Sequence, residues 1–140
     1  MIAAIISRLK AEVSTLKTVE GAAGFQKASE SNPTATPAAF VFLVNESADD
    51  LECIDEPIVQ HVSVTLSVVL VVRHVGDSRG AAAGIDMETL RQAVLQALYG
   101  YRANAAQEPL ARHQSTLIAF RDGHMWWQET FVTGYFATGA

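Results

Sequence analysis

The sequence predicts an α+β fold: two helices packed against one mixed, largely antiparallel sheet with a long central strand and a C-terminal hairpin. Three observations carry this expectation. Apolar residues recur at helical spacing in two separate segments, one at the start and one from Asp86 to Leu98. The run from Pro57 to His74 is rich in β-branched residues and alternates with period two. Near the end, two β-prone segments flank Asp122-Gly123, a strong hairpin-turn pair.

The first helix is read from Ile2, Ile5, Ile6, Leu9, Val13 and Leu16, with Arg8, Lys10, Glu12, Ser14 and Lys17 around them. That is one apolar stripe over about four turns. Gly21 and Gly24 interrupt it, and Phe25 and Ala28 fit at most a short helical turn between those breaks and the Pro-containing stretch 29–37. Phe40 to Val44 is apolar on both alternating faces, which predicts a strand covered on both sides, with Pro37, which cannot donate to a ladder, at the edge of that strand. The stretch 46–56 holds six acids (Glu46, Asp49, Asp50, Glu52, Asp55 and Glu56) and no Lys or Arg, so it is expected as an acidic loop.

In the long strand, Ile58, Val62, Val64, Leu66, Val68, Leu70 and Val72 share one face. The other face changes character, from His61, Ser63, Thr65 and Ser67 to Val69 and Val71. Its first half is therefore expected to be covered on one side and its second half on both. Gly76 to Gly84 predicts a flexible loop, after which Asp86 is placed to cap a helix, with Ile85 and Leu90 as a hydrophobic staple. Met87, Leu90, Val94, Ala97, Leu98 and Tyr101 form its apolar face, and Gly100 is a stop signal. Ser115 to Arg121 and Trp126 to Tyr135 form the hairpin, in which Trp126 and Trp127 must point to opposite faces.

At 140 residues, with 49% apolar and 18% charged residues, the chain fits one folded domain spanning residues 1–140. Its net charge is −5, and its ten basic residues are scattered, so sequence-specific nucleic acid is not an expected partner. Met1 to Ile6 is apolar, but Arg8 and Lys10 follow it, the reverse of a secretory signal. The most apolar stretch, Val62 to Val72, spans 11 residues, short of the ~20 that cross a bilayer, so no membrane partner is expected.

No residue set carries legible chemistry. His61, His74, His113 and His124 each stand alone in their segments, with no HExxH spacing. Cys53, the single cysteine, lies among acids that oppose thiolate formation, and no serine sits in a GxSxG elbow. Gly76, Gly80 and Gly84 match no phosphate-binding pattern, and the acidic stretch lacks the ligand order of an EF-hand. No catalytic, cofactor or metal residue is therefore assigned, and no enzyme is expected. The candidate interface comprises Ser63, Thr65 and Ser67 on the long strand with Glu46, Asp49 and Asp50 beside it; Arg79 is a counterpart on a neighbour, alongside Arg73 and Arg112. The bland alternative is a solvated strand face and a solvated loop.

Met1-Ile2-Ala3-Ala4-Ile5-Ile6-Ser7-Arg8-Leu9-Lys10, the segment Ala35-Thr36-Pro37-Ala38-Ala39-Phe40-Val41, and Asp122-Gly123-His124-Met125-Trp126-Trp127-Gln128-Glu129-Thr130-Phe131 resemble the tail-terminator-like proteins of tailed bacteriophages and prophages. The likeness spans nearly the whole chain, and its motifs are structural. It implies a subunit that assembles as a hexameric ring on the head-proximal end of the tail tube, stops tube polymerisation, and joins a head-completion or connector protein. The implied partners are the chain itself, the tail tube protein and that connector; the implied location is the virion tail, assembled in the bacterial host cytoplasm. Another small phage neck or tail-completion protein, and a soluble ligand-binding or regulatory domain, are the alternatives.

Overall fold

The computed structural model describes residues 1–51, 57–74 and 81–139. Cys53, Gly76, Arg79, Gly80 and the acids Glu52, Asp55 and Glu56 lie outside the described residues. Three helices and five strands follow in the order α1 (Ile2–Glu12), β1 (Thr18–Glu20), α2 (Ala22–Glu30), β2 (Ala38–Ala48), β3 (Ile58–Arg73), α3 (Ala81–Leu98), β4 (Ala111–Arg121) and β5 (His124–Gly139). The strands form one mixed sheet in the order β1-β2-β3-β5-β4, in which only β1 and β2 run parallel.

β3 is one uninterrupted strand, as its alternation predicts, and it is the centre of the sheet. Leu66, Val68, Leu70 and Val72 point to the larger core, where they meet Ile5 and Leu9 of α1 and Met87, Leu90, Val94 and Leu98 of α3. Val69 and Val71 point the other way, into a smaller cluster with Ala28, Ala38, Phe40 and Trp126. The two tryptophans divide as the pleat requires: Trp126 is buried in the smaller cluster, while Trp127 packs half-buried against the larger.

The helices depart from the sequence expectation in three places. α1 stops at Glu12, because Val13, Ser14 and Thr15 favour other backbone conformations. Val13 and Leu16 still reach the core through a turn in which Leu16 N–H donates to Val13 O (3.2 Å), so a continuous helical stripe was the wrong account of them. α2 is a third helix rather than a single turn. Gly24 lies inside it, and a Cβ there would fall 2.7 Å from the Cβ of Glu20, so the glycine lets the two segments close. α3 begins at Ala81, with Gly84 inside it; Asp86 is not its cap but pairs with His74, and Ile85 is 68% exposed rather than a staple.

The ends of the other elements follow local chemistry. Gly100 closes α3 with φ +80°, and Asp122 and Gly123 turn the β4–β5 hairpin with φ 51° and 73°. Both hairpin strands run longer than the sequence suggested. Pro37 stands at the edge of β2, immediately before Ala38; its carbonyl accepts Lys17 N–H (2.8 Å) where β1 joins β2, and its peptide bond is cis.

Candidate functional site

The far halves of β2, β3 and β5 extend the sheet into a three-stranded arm. β1 covers β2 only from Ala38 to Phe40, and α2 packs over Phe40, Phe42 and Trp126 through Phe25. Beyond these, Leu43 to Ala48 are all exposed. The expected burial of the 40–44 run on both sides therefore holds only as far as Val41. Glu46 is part of β2 opposite Val64, rather than in a loop, because hydrogen bonding between β2 and β3 continues to Ala48 and Val62. A bulge at Val44 shifts the register by one residue, so Leu43 and Glu46 share a face although three residues separate them.

The sequence-selected residues mostly converge on this arm. Ser63 faces outward and exposed opposite Ser47, Thr65 is half-buried opposite Asn45, and Asp49 N–H donates to His61 O (2.9 Å) at the arm's outer end. Asp50 follows, exposed. Ser67 differs from its neighbours: it is fully buried, and the Gln128 side-chain amide donates to its hydroxyl. Arg79 lies outside the described residues.

Two arrangements escaped the sequence analysis. His61 Nε2 lies 2.6 Å from Glu108 Oε1, with Phe136 edge-on at 5.1 Å and Asp49 3.7 Å from the other ring nitrogen. Gly134 makes room for this pair, since a Cβ there would lie 2.7 Å from both His61 Nε2 and Glu108 Oε2. On the opposite face of β5, Glu129 is 1% exposed, paired with Arg91 of α3 and accepting from Ser115 and from Trp127 Nε1 (3.0 Å). Its sequence signal is an acid at an inward position of the alternation Met125, Trp127, Glu129, Phe131.

Among the described residues, no group of three or more His, Cys, Asp or Glu is placed to hold a metal ion. A cleft of ≈ 330 Å³ beside α3 is lined by Thr15, Pro37, Arg73, Asp86, Thr89 and Leu90 among others, and its carboxylate is already engaged by His74. No described helix is long and apolar enough to cross a membrane.

A family model described as phage tail terminator protein matches residues 2–139. The chain belongs to the phage tail terminator family. None of the curated proteins compared with it matches. Among solved structures, it is similar to a chain of the "Virion of native gene transfer agent (GTA) particle", with a TM-score of 0.58 and 14% identity over 98% of this chain and 95% of that one. That likeness is one of fold. As a tail terminator family member the protein is a structural protein of phage tails.

Proposed function

We propose that this tail protein forms a homohexameric ring that caps the head-proximal end of the tail tube, stops its polymerisation, and presents the surface to which a head-completion or connector protein joins. Assembly takes place in the host cytoplasm, before the tail meets the head. A closed ring of identical subunits needs two different, complementary surfaces on each copy. The observation that supports the reading is the arm: an extension of the sheet that outruns its helices and carries Ser63, Thr65, Glu46, Asp49 and Asp50 on its exposed surfaces. The fold needs none of these side chains for its two cores.

The test is sedimentation and electron microscopy of the purified chain, alone and mixed with tail tubes from its own phage or prophage. Six-membered rings at one tube end, with tube growth halted, are the expected result. A folded protein that neither forms rings nor binds tube ends would overturn the proposal.

A further inference from the structure

We propose that the arm of one copy docks along β4 of the next, so that neighbouring subunits join head to tail through these two elements. The inference rests on the ring reading above and names the contact that would build it.

β4 is the outermost strand on the side of the sheet opposite β1, and among the described residues no strand pairs with its outer edge. It is exposed at nearly every position, and Leu117, Ile118 and Phe120 are 49%, 46% and 37% exposed. An exposed, apolar edge strand is a place where another chain pairs or packs, and soluble proteins usually shield such edges with charge or cover. Here the charge on the strand has one sign: Arg112 and Arg121 occur in it, with no acid from Ala111 to Arg121.

The arm is the counterpart on the other side of the sheet. Leu43, Val44, Leu51, Ile58 and Val59 are exposed on it, between 38% and 53%. Its described charged residues, Glu46, Asp49 and Asp50, are all acidic. Apolar area therefore faces apolar area, and negative charge faces positive. Two copies meeting arm to arm, or β4 to β4, would instead bring like charges together, which disfavours a two-fold dimer. Because the surfaces differ and lie at opposite sides of one sheet, each docking leaves a free arm at one end and a free β4 at the other. Repetition then gives a closed ring or an open filament.

Bulges at His113 and Ile118 in β4, and at Val44 in β2, interrupt any continuous ladder between the two edges. The contact is consequently carried by side chains, with at most short stretches of main-chain pairing. This makes it sensitive to charge.

The experiment uses two full-length variants. One reverses the arm, with Glu46→Lys and Asp50→Lys. The other places acids on β4, with His113→Glu and Ile118→Glu, both at bulge positions; Arg112 is kept because it lies 4.0 Å from Glu129. Folding is checked by circular dichroism, and a β4 variant that fails to fold is replaced by Ile118→Glu alone. Assembly is read by native mass spectrometry and by tube capping beside the wild type. Each variant alone is expected to lose at least ten-fold in assembly, while an equimolar mixture recovers alternating oligomers, since the new lysines of one then face the new glutamates of the other and the unaltered arm faces the unaltered β4. Folded variants that assemble like wild type, or a mixture that does not recover, would overturn the arm-to-β4 contact and leave the ring reading standing. A wild type that forms no ring under any condition removes both.

Discussion

Glu129 and Arg91 form an ion pair beneath α3, in which the carboxylate is 1% exposed and the guanidinium lies 4.3 Å from the Trp127 ring centroid. The pair ties α3 to β5, and its remaining oxygen is held by Ser115 of β4. Three elements thus share one buried charge.

Removing Arg91 leaves the buried carboxylate with only the guanidinium of Arg112, 4.0 Å away, as a counter-charge. Arg91→Ala is expected to cost about 3 kcal/mol of stability, the range in which breaking a buried pair falls. Glu129→Gln should cost less, since the amide keeps most of its hydrogen-bond partners and removes the charge. Urea titrations of both variants measure the difference; if Arg91→Ala proves the milder change, the pair is not what anchors α3.

Gly134 is where the His61–Glu108 pair crosses β5. Gly134→Ala forces both side chains aside and is expected to destabilise by roughly 1–3 kcal/mol, as overpacking does. In a His61→Ala background most of that cost should vanish, because the two substitutions share one space. Additive effects in thermal denaturation of the single and double variants would count against this account.

Ser63 and Ser67 lie on the same strand face but in different surroundings. Ser67→Ala leaves the half-buried Gln128 amide without its acceptor and should lower stability by about 0.5–1.5 kcal/mol. Ser63→Glu should leave the melting temperature nearly unchanged and weaken assembly. Paired melting and sedimentation measurements separate the two; the opposite pattern would move the interface off this face.

Duplex DNA should show no sequence-dependent binding at about 0.15 M salt. The net charge is −5, and the basic residues of β4 stand among exposed apolar side chains rather than in a continuous phosphate-binding stripe. A titration in which one duplex sequence binds clearly more tightly than another would contradict this.

Strand alternation was the most legible signal in the sequence, because a covered β-face allows few exceptions. β3, the division between Trp126 and Trp127, and the Asp122-Gly123 turn all follow from it. Helix ends were less legible, since burial can be achieved by a turn as well as by a helical stripe, as Val13 and Leu16 do. Gly24 and Gly84 read as breakers, but tertiary packing overrides propensity inside α2 and α3. The exposure of Leu43 and Val44 was illegible for a different reason: an apolar run states what a strand would bury, not whether a partner is present within the same chain.

β3 pairs with β5 without a register shift from Ile58 opposite Gly139 to Arg73 opposite His124. Its inner half is clamped between two cores, and its outer half belongs to the arm. Sixteen residues of strand span on the order of 50 Å, so the arm is a cantilever with its root set in the centre of the molecule. A push at Ser63 would be carried as bending of the β3–β5 ribbon, whose pairing has no register shift to absorb it. Small repacking at Val69 or Leu70 would be magnified with distance and swing the outer end by more than it moves the root. The stiffness of one strand thereby fixes the angle at which anything bound to the arm is held.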